Sequence, residues 1–180
     1  MRSEMYRKVV RTFAVVAIMA SPTAVFAAYV ASDSFEKTVD VDGVAVLHVS
    51  NESGAVEIIG GDVDKVTIRA TIRIDKKLSK SNPKRAEQIL RGVKRSQLVS
   101  IEGARIEISK ITRNTYQRHA SISYKIVVPH DSDINVHSVS GNVKVSGVTG
   151  SVSATSDTGE VTLAESFTPK KAELNASAIG

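Results

Sequence analysis

The sequence predicts an all-β chain, a single-domain β-solenoid or β-helix-like stack of short strands with Gly turns, plus one short α-helical insertion. A repeat carries that expectation. Ser140-Gly141-Asn142-Val143-Lys144-Val145, Thr149-Gly150-Ser151-Val152-Ser153-Ala154 and Thr158-Gly159-Glu160-Val161-Thr162-Leu163 each place a small polar residue and Gly ahead of alternating positions. Their glycines stand nine residues apart, so two steps make eighteen, and Ser53-Gly54-Ala55-Val56-Glu57-Ile58 is an earlier copy. A fixed period of strand plus Gly turn suits units that bury their apolar edge against their neighbours. Alternation elsewhere is the second support. Val66, Ile68, Ala70, Ile72 and Ile74 alternate with Thr67, Arg69, Thr71 and Arg73, which puts one face in the core and one in water.

Taken in order, the chain opens with a targeting signal. Arg2, Arg7, Lys8 and Arg11 form a basic n-region, Phe13–Ala20 a short apolar core, and Pro22 opens a segment ending at Val25-Phe26-Ala27, where a signal peptidase needs small residues. Residues 1–27 therefore read as a signal peptide, shorter in its apolar core than the roughly 20 residues of a membrane span. An uncleaved anchor starting near Phe13 is the alternative. The domain 28–180 is then exported to the periplasm or cell surface, with no membrane span after signal removal. The absence of Cys excludes a disulfide framework and a lipid-anchored cysteine after the cleavage site.

Leu47 and Val49 lead into a turn at Asn51-Glu52-Ser53-Gly54, and Val56 and Ile58 lead out of it. Lys65–Asp75 is the clearest strand, and arginines on its wet face discourage edge pairing. Ala86, Ile89, Leu90 and Val93 then follow the spacing of one helical face, with Asn82 as cap and Pro83 at the first position. Strand character returns at Val99 and Ile101, turns at Gly103-Ala104, and resumes at Ile106 and Ile108. Arg113–Arg118 reads as a polar loop. Ile122, Tyr124, Ile126 and Val128 alternate up to Pro129, and His130–Asp133 is the turn into the repeats.

Within the repeats, period two sends Val143, Val145, Val152, Val161, Leu163 and Leu174 inward. Asn142, Lys144, Ser153, Glu160, Thr162 and Glu173 go outward. Gly141 and Gly159 are expected at positive φ. Ser177-Ala178-Ile179-Gly180 starts another turn with no strand after it. The reading is thus of a C-terminally incomplete stack whose open end self-associates or frays.

The net charge of +5 is unevenly spread. Ala28–Asp64 carries one base against eight acids, Lys65–Arg118 fifteen bases against four acids, and His119–Gly180 four bases against six acids. The densest positive cluster is Lys84, Arg85, Arg91, Lys94 and Arg95, on a helix whose other face is committed to the core. It is the candidate binding surface for anionic envelope polymers; a solvated outer face is the plainer account of the same charges. Lys76–Arg113 contains no Phe, Tyr or Trp, so stacking platforms for specific nucleic-acid binding are absent there.

Catalytic candidates are thin, and no cofactor is implied. Ser81-Asn82-Pro83-Lys84 matches S-x-x-K, the nucleophile motif of penicillin-binding proteins, without the S-D-N and K-T-G elements those enzymes need, and a helix start explains it. His130, Asp131, Asp133 and His137 are mixed N/O metal-ligand types at a spacing that matches no known site, and turns use the same residues for local hydrogen bonds. His48 and His119 read as lone exposed positions. Asp157, Glu160 and Glu165 are the acids that a glycosidase pair would draw on, facing a common cleft. With no Trp and 4% aromatic residues, sugar stacking is poorly supplied.

The order of elements resembles the bacterial putative-adhesin family. Ser53-Gly54-Ala55-Val56-Glu57-Ile58, Tyr124-Lys125-Ile126-Val127-Val128-Pro129 and Ser140-Gly141-Asn142-Val143-Lys144-Val145 carry the resemblance, which spans Asp40–Gly180. It implies an exported β-solenoid with an adhesive role and brings no catalytic residues with it. Members of that family continue for further units, where this sequence stops at Gly180. The function expected is a non-catalytic cell-envelope protein, an adhesin or a structural or binding module with a repetitive β-surface, whose partners are anionic envelope polymers or cell-surface glycans. The alternative is an envelope polysaccharide-processing enzyme, a lyase or hydrolase on a β-helix. A ligand-regulated sensor module is a third reading.

Overall fold

The computed structural model describes residues 31–164 and 171–176. The expected signal peptide 1–27, Glu165 and the terminal turn 177–180 with its expected self-association lie outside the described residues, as does the side chain of Leu174.

The chain runs through β1 (Ser32–Asp40), β2 (Val46–Ser53), β3 (Val56–Gly61) and β4 (Lys65–Ile74) into two helices, α1 (Lys76–Ser81) and α2 (Pro83–Arg95). A hairpin of β5 (Val99–Glu102) and β6 (Arg105–Ile108) and the single turn α3 (Asn114–Gln117) follow. The remainder is strand: β7 (Ala120–Pro129), β8 (Asp133–Ser140), β9 (Val143–Ser146), β10 (Ser151–Thr158), β11 (Val161–Ala164) and β12 (Lys171–Ala176). These strands form two six-stranded sheets, ordered β1-β4-β7-β3-β9-β11 and β12-β10-β8-β2-β6-β5. Apolar residues of both sheets meet in one core, Leu47 and Ile134 from the second sheet with Ile58, Ile68 and Ile126 from the first.

This arrangement corrects the solenoid expectation. Both sheets are mixed: β4 is antiparallel to β1 and to β7, and β5 is antiparallel to β6. The strand order in neither sheet follows the sequence. The physical reason lies between the repeats. β4 is a ten-residue alternating strand with no Gly turn, and its five inward residues Val66–Ile74 are all buried. It docks antiparallel on both flanks, and the helices and hairpin that follow interrupt any regular stack. The nine-residue motif keeps a narrower meaning. Val152 lies beside Ile134 and Val161 beside Val143, each eighteen residues on and parallel. The earlier copy joins them as a unit, with Leu47 beside Ile134 and Val56 beside Val143.

The assigned faces hold where they are described. Val143, Val145 and Val152 are buried, and Asn142, Lys144, Glu160, Thr162 and Glu173 are exposed, with Ser153 half-buried. Val161 and Leu163 are only half-buried, because β11 is the last strand of its sheet. Gly141 and Gly159 have φ of 142° and 151°. A Cβ on Gly141 would strike the carbonyl of Gly54, and one on Gly159 the carbonyl of Gly141, so the turns stack with their backbones in contact. Buried Asn51 secures the start of this column, donating to the carbonyl oxygens of Gly54 at 2.9 Å and Ile122 at 3.1 Å. Ser138 and Ser156 occupy the positions beside it in register.

The helix at Pro83 forms as its spacing requires. Asn82 Oδ1 accepts from the Arg85 amide at 3.1 Å, and Ala86, Ile89 and Val93 are buried. Burial of apolar side chains of this size is worth about 1.5–3 kcal/mol each for Ile and Val. Two helical turns were not expected. α1 carries a single apolar residue, Leu78, but Asp75 caps it by accepting from the Leu78 amide at 2.9 Å. α3 replaces the polar loop expected at Arg113–Arg118.

Candidate functional site

The outward face of the first sheet pairs most of its charges across strands. Register aligns Glu36, Arg69, Lys125, Glu57 and Lys144 across five strands. Both Arg69 Nε and Nη2 donate to Glu36 Oε2, at 2.9 and 2.7 Å, Lys125 Nζ lies 3.2 Å from Glu57 Oε2, and Lys65 pairs with Asp40 at 2.9 Å. The helical surface is different. Lys84, Arg85, Arg91, Lys94 and Arg95 are all exposed on the side of α2 away from the core. Lys94 Nζ donates to Asp33 Oδ2 at 2.6 Å, which ties α2 to β1 and, with a further hydrogen bond from the Ser34 amide, holds the Asp33 carboxyl below the ordinary aspartate range. Arg91 lies 3.9 Å from Glu87, one turn back. Lys84, Arg85 and Arg95 form no ion pair among the described residues, and neither do Lys76, Lys77 and Lys80 on adjoining α1. The α1 lysines extend the basic face beyond the five residues expected; the cap at Asp75 is the signal that would have found them.

At the C-terminal end of α2 the same surface folds into a cavity of about 460 Å³, between Gly92, Arg95 and Ser96, the approach to β5 at Leu98, and the segment 111–116. Arg113 lies over the Tyr116 ring, 5.0 Å from its centroid, and its Nη1 donates to the Tyr116 hydroxyl at 2.8 Å. A Cβ at Gly92 would collide with that hydroxyl, so the glycine lets the phenol close onto the helix. Leu98 and Ile111 form a buried apolar floor. Arg113 and Tyr116 were hidden in the sequence by their place in what reads as a loop.

The other candidates are dispersed. His130 Nδ1 faces the Gly147 carbonyl at 2.6 Å and its Nε2 lies 3.3 Å from Asp62, while Asp133 Oδ1 accepts from the Ser151 amide at 2.8 Å. His137 lies on the outer face of the second sheet, 3.0 Å from Thr155 Oγ1 and 3.9 Å from Asp157. Asp131 is exposed, and among the described residues no group of three or more His, Asp or Glu is arranged to hold a metal ion. Asp157 is the penultimate residue of β10 in one sheet and Glu160 precedes β11 in the other, where its Oε1 accepts from Thr162 at 3.2 Å. Ser81 ends α1 with its hydroxyl 3.5 Å from the Leu78 carbonyl, and Lys84 is exposed in the first turn of α2. His48 is half-buried, in line with Asn135, Ser153 and Glu173 along a shallow groove on the second sheet. His119 is half-buried before β7. No described helix is long and apolar enough to cross a membrane.

No protein-family model and no curated protein matches the chain. Among solved structures it is similar to a putative cell adhesion protein from Clostridium sporogenes ATCC 15579, at 8% sequence identity and a TM-score of 0.44, over 82% of this chain and 96% of that one.

Proposed function

We propose that this chain is an exported, non-catalytic module of the cell envelope that adheres to anionic polymers through the outer surface of α1 and α2. One observation carries the reading. The first sheet pairs Lys65, Arg69 and Lys125 with carboxylates across strands and leaves only the scattered Arg73 and Lys144 without an ion pair on its outer face, whereas Lys76, Lys77, Lys80, Lys84, Arg85 and Arg95 are gathered on two short helices with no ion-pair partner among the described residues. Clustered cations without local partners attract a polyanion over about a Debye length, and the attraction fades with salt. The basic n-region and Val25-Phe26-Ala27 support export, and the motif order that resembles adhesin domains supports an adhesive role.

The test is binding of the full domain to polyphosphate across a salt series, beside the variant Lys80→Gln/Lys84→Gln/Arg85→Gln. Weaker binding and a flatter salt dependence in the variant, with an unchanged melting curve, are expected. Equal affinity at low salt returns the cluster to a solvated face. Clearing of cell-wall polysaccharide in a zymogram overturns the non-catalytic reading.

A further inference from the structure

We propose that the cavity between α2, the approach to β5 and α3 is a binding site for a phosphate monoester, with Arg95 and Arg113 on the phosphate and Leu98 and Ile111 under the organic part. This goes beyond attraction of a polymer to the helical surface, because it requires a shaped site with a fixed set of donors.

Four features converge. The volume, about 460 Å³, lies within the range of small-ligand clefts, roughly 300–1,000 Å³. The lining includes two guanidinium groups and no carboxylate. Arginine suits phosphate because its planar fork of N–H donors engages two oxygens at once. The fork of Arg113 is also held in advance. It rests over the Tyr116 ring and commits one nitrogen to the Tyr116 hydroxyl, which leaves its remaining N–H groups for a ligand and lowers the entropy lost on binding.

The tyrosine gains from the same contact. Its oxygen accepts from Arg113, so its own proton is available to donate. Gly92 explains how the pair is seated. Glycine inside a helix is unfavourable by about 1 kcal/mol against alanine, and here it clears the space that the Tyr116 hydroxyl occupies. The buried floor of Leu98 and Ile111 then gives a preference for an ester over the free anion.

Titration calorimetry of the full domain with inorganic phosphate and with phenyl phosphate tests the site. Phenyl phosphate is expected to bind at least about tenfold tighter than inorganic phosphate, the gain that burying an aromatic ring supplies. Arg95→Gln and Arg113→Gln should each weaken phenyl phosphate about tenfold or more, and Arg113→Lys should lose most of that, since it keeps the charge without the fork. Gly92→Ala should weaken binding by displacing Tyr116 and so releasing the Arg113 fork, although both guanidinium groups are still present. Lys80→Gln/Lys84→Gln/Arg85→Gln, on α1 and the first turn of α2, should leave phenyl phosphate binding unchanged even where it weakens polyphosphate. The two readings therefore fail separately.

Competition by vesicles of phosphatidylcholine with phosphatidic acid assigns the monoester to a lipid headgroup; absence of competition assigns it to a soluble or glycan-borne phosphate. Either result keeps the site. Three results overturn it: no binding of phenyl phosphate at millimolar concentration, equal affinity for both probes, or equal losses in Arg113→Gln and the Lys80/Lys84/Arg85 variant. Should Arg113→Gln unfold in a thermal melt, Arg95→Gln and Arg113→Lys decide the same question.

Discussion

Gly141 stands on Gly54 with its α-carbon turned toward the Gly54 carbonyl, where no side chain fits. Two costs fall together on any substitution there, the positive φ of 142° and a collision with backbone that cannot swing away. Gly141→Ala should destabilise by about 2–4 kcal/mol. Gly43 separates the two effects, since its φ is 88° but its Cβ direction is open. Gly43→Ala should cost about 1 kcal/mol. Urea unfolding of both variants checks this, and equal losses would mean that the contact with Gly54 contributes nothing.

Val143 and Val161 sit in the same register on neighbouring strands but are not equally covered. Val143 is fully enclosed between β3 and β11, while Val161 lies on the edge strand and stays half-exposed. Val143→Asp should cost several kcal/mol by burying a carboxylate, Val161→Asp clearly less, and Thr162→Asp under about 1 kcal/mol. Thermal melts showing Val161→Asp as damaging as Val143→Asp would indicate that another surface covers the edge.

The amide of Asn51 satisfies the part-buried carbonyl of Gly54 and the buried one of Ile122, and so ties the turn column to β7. Asn51→Ala removes both bonds and should cost about 2–3 kcal/mol. Asn51→Asp should cost more, because a carboxylate would face two acceptors with nothing to donate. Stability ranked by denaturant midpoint should read Asn, then Ala, then Asp.

Burial pushes the Tyr124 phenol above its ordinary range. An acid whose pKa is raised by folding stays protonated in the folded state, so the stability it contributes is complete below the unfolded value of about 10 and is lost as the pH rises beyond it. Alkaline titration followed by phenolate absorbance should show Tyr124 ionising late and together with loss of the fold. Tyr124→Phe should remove that late step. An early, reversible ionisation of Tyr124 in the folded protein would contradict its burial.

Local order was legible in the sequence because it depends on neighbours a few residues away. The alternation of Val66–Ile74 and Ile122–Val128 marks their buried faces, and Asn82-Pro83 with Ala86, Ile89 and Val93 marks the start and inner face of α2. Strand order was not legible. Nothing within a few residues of Val56 says that it will lie between Tyr124 and Val143, or that Ile68 will run antiparallel to Ile126. A nine-residue motif reports the strand and turn it contains, and extending it into one continuous stack led to the wrong architecture. The basic face was half-legible. Charge density located α2, but the ion pair from Lys94 to Asp33 and the meeting of Arg113 and Tyr116 with Gly92 are made by the fold.

The docking of β2 and β3 beside β8 and β9 also sets a timetable. Leu47 finds Ile134, and Val56 finds Val143, only after the 86 residues between them have been delivered. Contacts of such long sequence separation carry a loop-closure cost before any of them stabilises, and they make folding slow compared with that of helical chains of equal length. A chain emerging N-terminus first therefore cannot complete the first sheet until Ala164 is out, or the second until Ala176 is. β1 finds β4 early, but β2 and β3 wait for β8 and β9, accessible meanwhile to a holding chaperone and extended enough to be threaded.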